Sequence, residues 1–217
     1  MGTTLYLGTD PSAFESEGNF KGHLIHFPVI EIVPKPLEDP ELKRAWDDLG
    51  EYTHLIFTSK NAVSVFYSHL ESQKISVEMF SNKTLIAIGK VTAAHLDMRG
   101  LKPNHIAEQE QQEGVITLLK RLDLENAYVF LPRSSLARPA LTHFLNEEEI
   151  RHQACDLYET RAKIPDWVPD LESIDEIIFT SPSTVSAFLQ IFKRLPVGKK
   201  LRAVGPITER ALFESVI

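Results

Sequence analysis

A single cysteine, Cys155, stands in a chain of 217 residues. That scarcity excludes an intramolecular disulfide and a thiolate metal cluster, and it is the cysteine usage of a reducing compartment. Cys155 precedes an apparent strand around Leu157, has no catalytic signature beside it, and reads as a packing residue. No apolar run approaches the roughly 18 residues that cross a bilayer. The opening residues Met1 to Leu7 lack a basic segment before their apolar stretch, and Tyr6 stands where a myristoylation motif requires Ser or Thr. The expectation is a soluble, cytoplasmic protein with no membrane partner.

A clustered excess of Lys and Arg is also missing. The 23 basic and 30 acidic residues leave a formal charge of -7, which argues against nucleic acid as a partner. An anionic small molecule would meet mild overall repulsion, so its recognition would need local donors such as helix N-termini and a few cations. There is no P-loop, dinucleotide glycine fingerprint or Ser-His-Asp signature. His23-x-x-His26 has no Cys or acidic partner to complete a ligand set, so it reads as surface or packing and no metal is expected there. Trp46 and Trp167 read as packing residues.

What is present is an ordinary globular composition, 43% hydrophobic and 24% charged, carrying an internal repeat. Ile56-Phe57-Thr58-Ser59-Lys60-Asn61-Ala62-Val63-Ser64-Val65-Phe66 returns as Ile178-Phe179-Thr180-Ser181-Pro182-Ser183-Thr184-Val185-Ser186-Ala187-Phe188, with seven of eleven positions identical. Each copy runs from a short apolar strand into a Thr-Ser pair placed as an N-cap, after which apolar residues resume at helical spacing. A second pair keeps the same order: Ala87-Ile88-Gly89-Lys90-Val91-Thr92 matches Ala203-Val204-Gly205-Pro206-Ile207-Thr208. Pro206 suits the first turn of a helix, where its absent N–H is not needed. Offsets of 122 residues (56 to 178) and 116 residues (87 to 203) imply duplication of a whole βαβα unit.

Further strands are expected at 4–7, 25–33, 127–131 and 154–158, and further helices near 40–49, 114–122 and 136–146. Alternation of strands and helices indicates an α/β fold with parallel sheets covered on both faces. Ligands of such sheets sit outside the carboxyl ends of the strands, where all four repeated turns would lie. Pro34-Lys35-Pro36 and the stretch from Arg161 to Pro169 read as linkers. If both cross between domains, the first domain joins the N-terminal segment to the C-terminal third; two consecutive halves are the alternative.

These paired motifs resemble the uroporphyrinogen-III synthase family over essentially the whole chain. The segments that carry the likeness are Phe57-Thr58-Ser59 with Asn61-Ala62-Val63, Ile88-Gly89-Lys90-Val91-Thr92, Leu131-Pro132-Arg133, Leu157-Tyr158-Glu159-Thr160, Phe179-Thr180-Ser181-Pro182-Ser183 and Val204-Gly205-Pro206-Ile207-Thr208. The resemblance implies two flavodoxin-like parallel-sheet domains joined by a two-strand linker, with the ligand cleft between them. Residues 1–35 plus 164–217 would form a discontinuous first domain, and 36–163 the second with the linker strands. It further implies a monomer without cofactor that acts on hydroxymethylbilane, a linear tetrapyrrole with eight carboxylates, closing it with loss of water and inversion of the last ring. Three departures stand out. Leu7-Gly8-Thr9-Asp10 lacks the Arg common near the end of the first strand, Lys60 replaces a common Pro, and relatives usually add a strand and helix beyond the helix after Gly205, so either a smaller first sheet or a shortened sequence is expected.

Folding the substrate into the right near-attack shape would be the main catalytic contribution. The resemblance places Tyr158 in the cleft as proton donor to the departing hydroxyl, a role suited to a phenol that stays protonated at neutral pH. Backbone N–H groups at the turns holding Gly89 and Gly205, and the hydroxyls of Thr58, Ser59, Thr180, Ser181 and Ser183, are candidate carboxylate donors. Their plainer reading is ordinary N-caps. Lys60, Lys90 and Arg133 are candidate clamps, Arg133 with the better bidentate geometry. Thr92 and Thr208, matched across the repeat, bind substrate or cap their turns. The competing function is a non-catalytic two-domain α/β protein that binds an anionic ligand; a signalling receiver is a weaker third, for want of an acidic phosphoacceptor cluster.

Overall fold

The structure, a computed structural model, describes residues 2–16, 18, 22–163 and 165–215. Among the described residues ten strands and eight α-helices follow in this order: β1 (Gly2–Tyr6), α1 (Ser12–Ser16), β2 (Gly22–His26), β3 (Ile30–Pro34), α2 (Pro40–Asp47), β4 (His54–Phe57), α3 (Lys60–Ser72), β5 (Thr84–Ala87), α4 (Lys90–Asp97), β6 (His105–Ile106), α5 (Gln112–Leu119), β7 (Tyr128–Ser134), α6 (Ala140–Glu147), β8 (Arg151–Ala162), β9 (Glu176–Phe179), α7 (Pro182–Phe192), β10 (Lys200–Ala203) and α8 (Pro206–Glu214). The chain divides into two compact units, Met1–Ile32 with Thr160–Ile217, and Val33–Glu159. The expected domain limits at residues 164 and 217 fall outside the described residues.

Unit 1 holds a four-stranded sheet ordered β10-β9-β1-β2, with every pairing parallel. Numbered within the unit this is 2-1-3-4, the flavodoxin order, and the chain reverses its direction of travel between β1 and β9. Leu5, Leu7, Phe27, Val29, Ile177, Phe179, Val185 and Phe188 form its core. The carboxyl ends of β1 and β9 lie side by side, the place where an open parallel sheet binds ligands.

Unit 2 is built on β8-β7-β4-β5-β6, again parallel, with β3 added beyond β8. Within the unit the order is 3-2-1-4-5, so its reversal falls between β4 and β7. Strand alternation sends Ile56, Ile86, Val129 and Leu131 to one face, under α5 and α6, where Val115, Leu119, Leu141 and Leu145 cover them. The opposite face is aromatic. Phe57, Phe66, Phe80, Phe130 and Trp46 meet there at ring separations of 5.3 to 6.1 Å. The strand β3 runs antiparallel to β8, since the bonded pairs 35/157 and 29/163 advance in opposite directions.

Two expectations need correction. The apolar stretch 25–33 is not one strand: β2 ends at His26 in one sheet and β3 begins at Ile30 in the other. Pro28 sits at the break, where it offers no N–H to a ladder. The helix expected from Leu136 starts only at Ala140, because Pro139 occupies its N-cap position and disfavours helical backbone at Arg138.

Candidate functional site

The duplicated strand–turn–helix segments put serines at equivalent N-caps. Ser59 follows β4 with φ −163° and ψ 154°, and Ser181 follows β9 with φ −162° and ψ 162°. Each accepts a backbone N–H from three residues ahead, Ser59 from Ala62 at 3.0 Å and Ser181 from Thr184 at 3.3 Å. The packing beneath is duplicated too. Phe57 meets Phe66, and Phe179 meets Phe188, in edge-on contacts with centroids 5.3 Å apart.

In unit 2 the Ser59 hydroxyl lies 3.0 Å from the hydroxyl of Tyr158, which is only 3% exposed. A β-bulge sets up this meeting: Arg133 pairs with Asp156, yet the next residue, Ser134, pairs with Tyr158, so β8 carries an extra residue there. The Ser134 side chain stands close enough to influence the phenol. Burial pushes Tyr158 above the usual phenol range, while the Ser59 and Ser134 hydroxyls, which favour the ionised form, pull it back in part. The arrangement is a protonated phenol with two hydroxyls ready to support its anion, at the point between β4 and β7 where the sheet order reverses.

Arg133 and Lys90 both bond carboxylates of the protein, the first through its side chain and the second through its backbone. Arg133 donates from Nε to Asp156 at 2.8 Å, with the two side chains 23% and 21% exposed. Lys90 is exposed, and its backbone N–H donates to the Glu110 carboxylate at 3.0 Å. That carboxyl group packs so closely on Gly89 that an added Cβ would come within 2.5 Å of it, so the anion position at the start of α4 already holds a carboxylate of the chain itself. Lys60 is half-buried at the first turn of α3, and Thr92 is buried on α4. Thr58 is half-buried beside Ser59.

In unit 1 the turn after Phe179 is closed on itself. The Thr184 hydroxyl accepts from the N–H groups of Thr180 and Ser181, both at 3.2 Å, and donates to the Ser181 carbonyl at 2.7 Å. Ser183 is half-buried in the first turn of α7. The fourth turn is open: Gly205 has φ +89° and ψ 159°, a conformation essentially restricted to glycine, and Pro206 supplies no N–H. Thr208 is buried just behind it. Across the sheet reversal Gly8 lies against Thr180, where a Cβ would stand 2.8 Å from the Thr180 side chain.

The sequence-derived residues therefore form separate groups: Ser59 with Tyr158 at the reversal in unit 2, Gly89 and Lys90 at α4, and Thr180, Ser181 and Ser183 at the reversal in unit 1. Sequence reading missed Ser134, Asp156 and Glu110. The first two depend on the register of β7 against β8, and the third is a loop residue 21 positions beyond Gly89 (89 to 110). Cys155 is fully buried and its thiol is pushed up to about 12 by burial, which leaves no thiolate nucleophile. Among the described residues no group of three His, Cys, Asp or Glu side chains could hold a metal ion, and no helix is long and apolar enough to cross a membrane. A cavity of about 630 Å³ lined by Phe80, Lys83, Leu85, Leu101 and Asn104 opens at the amino end of β5, away from these hydroxyls.

Fold and site together define a duplicated, doubly wound α/β protein whose sheet reversals are lined by hydroxyl side chains. Residues 13–216 match the family model described as Uroporphyrinogen-III synthase HemD. The chain belongs to the uroporphyrinogen-III synthase family. It is 26% identical over 180 residues to the porphyrin biosynthesis protein HemD of Ruminiclostridium josui, covering 80% of this chain and 35% of that longer relative. The crystal structure of uroporphyrinogen-III synthetase from Helicobacter pylori superposes with a TM-score of 0.68 at 24% identity, over 100% of this chain and 90% of that one. A mutant uroporphyrinogen III synthase from Thermus thermophilus gives a TM-score of 0.65 at 19% identity, again over 100% of this chain and 90% of that one. At these identities the two structures establish the fold.

Proposed function

We propose that this chain closes hydroxymethylbilane to uroporphyrinogen III, acting as a cytoplasmic monomer without a cofactor. The observation that carries the reading is the family match, which spans residues 13–216 and so includes every site residue named above. The hydroxyl-lined sheet reversals support it, because the reaction needs a proton donor and hydrogen-bond donors for the substrate's carboxylates.

Tyr158 gives its proton to the terminal hydroxyl of the substrate, which leaves as water. The phenolate left behind keeps a hydrogen bond from Ser59 with Ser134 close by, which limits the penalty of a buried charge. The carbon that lost the hydroxyl becomes an azafulvene cation, and attack by the substituted carbon of the last pyrrole ring leads to the inverted isomer. The linear substrate closes without help to the uninverted product, so the chief task of the protein is to hold the chain in the less accessible geometry.

The test is to mix the protein with freshly generated hydroxymethylbilane and separate the porphyrinogen isomers. Isomer III in excess of a buffer control supports the reading, and isomer I alone overturns it. Light scattering at the mass of one chain, 24.5 kDa, checks the monomer.

A further inference from the structure

The exits of unit 1's own strands carry few cations. Taking the last residue of each strand in its sheet and the three that follow, the exits of β1, β9 and β10 contain neither Lys, Arg nor His. The comparable exits in unit 2 carry Lys60 after β4 and Lys90 after β5, with Arg133 just inside the end of β7. The exit of β2 supplies the exception, His26, which is exposed. Arg202 lies one residue inside the end of β10, with its guanidinium 5.4 Å from the centroid of the Phe14 ring.

His26 is held in a defined pose. Its Nε2 lies 2.8 Å from the Gly8 carbonyl oxygen. A carbonyl can only accept, so Nε2 carries the proton of that bond and Nδ1 is left to meet a ligand. Gly8 in turn packs against Thr180, across the sheet reversal of unit 1. The imidazole thus stands at the carboxyl end of sheet 1, tethered to the loop that touches a candidate binding residue.

We propose that His26 is a carboxylate-binding residue for the substrate, donating from Nδ1 of its protonated ring to one of the eight carboxylates. This rests on the proposed function, which supplies the poly-acid. A charge-assisted hydrogen bond of this type corresponds to about a tenfold change in affinity.

The experiment compares His26→Ala, His26→Gln and His26→Arg with wild type, each checked for folding by circular dichroism. Gln reaches the Gly8 carbonyl with its amide N–H but offers nothing at the Nδ1 position, whereas Arg restores a cation. The expected result is a KM for hydroxymethylbilane raised about tenfold in the Ala and Gln variants, a kcat within about twofold of wild type, and recovery of KM in the Arg variant. Full recovery in the Gln variant would show that His26 only tethers Gly8, and an unchanged KM in the Ala variant would also overturn the proposal. If wild type yields isomer I alone, the proposed function fails independently. Quenching of tryptophan fluorescence by uroporphyrin III, titrated into wild type and His26→Gln, still reads the contact: about tenfold weaker binding in the variant supports it, and equal affinity refutes it.

Discussion

Ser59 and Ser181 share a backbone conformation within about ten degrees, cap equivalent helices and stand on equivalent phenylalanine pairs, yet their hydroxyls have different neighbours. The turns also differ at one position of the repeat. Unit 2 has Ala62 where unit 1 has Thr184. The Thr184 hydroxyl bonds the backbone of Thr180 and Ser181 and closes the turn, Ala62 has no hydroxyl to do the same, and the Ser59 hydroxyl lies against Tyr158, which the bulged strand β8 brings to it. The packing that makes each turn is matched between the copies, while the hydroxyl at position 184 seals one turn and strand β8 gives the other its tyrosine neighbour.

The largest effect expected from breaking this comparison lies in the shared packing. Phe57 and Phe179 are both fully buried, so Phe57→Ala and Phe179→Ala should each cost about 3 to 5 kcal/mol, read from urea unfolding midpoints. A cost below about 1 kcal/mol at either site would show that the matched rings do not carry matched cores.

Next comes the addressed turn. Tyr158→Phe keeps the ring and removes the proton, so turnover should fall about 100-fold. Stability should change by only about 1 kcal/mol, for the loss of a buried hydrogen bond. Unchanged turnover would remove Tyr158 from the mechanism and leave its hydroxyl as a strut between β4 and β8.

The sealed turn should answer in the opposite way. Thr184 is fully buried and its hydroxyl serves two N–H donors, so Thr184→Ala should destabilise by about 2 kcal/mol, by leaving those donors unmatched. The unfolding midpoint should drop while turnover at a permissive temperature stays within about threefold. Turnover lost with stability retained would mean that unit 1's turn acts on substrate through Thr184, erasing the contrast with Ala62.

Most of this contrast is half legible in the sequence. The repeat reveals four strand-to-helix turns and their N-caps, because capping and apolar spacing are local, and the parallel sheets follow from the alternation of elements. What each cap hydroxyl touches is not legible. The Ser59 to Tyr158 contact spans 99 residues and depends on a bulge in β8, and the bond between Arg133 and Asp156 depends on the same register. The break at Pro28 escapes a sequence reading because an apolar run says nothing about which of two sheets each half will join. His26 lacks metal partners in the sequence, and the informative fact about it is its bond to Gly8, which lies on a different strand's exit.

The smallest expected effect is one of titration, and it too separates the units. Both histidines with a clearly lowered pKa, His54 and His69, belong to unit 2. Burial disfavours the charged ring in each, and nearby His105 adds to the effect at His54. The unfolded chain therefore takes up protons first as pH falls below about 6.5, while the folded rings remain neutral. Their contribution to stability is complete above that pH and is lost as pH falls toward the lowered folded values, beneath which both states are protonated. His69 packs edge-on against Trp46 at 5.5 Å and its Nε2 is buried without a hydrogen-bond partner, so a ring of similar shape can replace it. His69→Phe should flatten the decline of the urea midpoint between about pH 7 and pH 5 relative to wild type. An unaltered slope would place the acid sensitivity elsewhere, in carboxylates such as Glu113, held down to about 2 by Arg138, whose contribution fades only as pH falls from the ordinary carboxylate range toward that value.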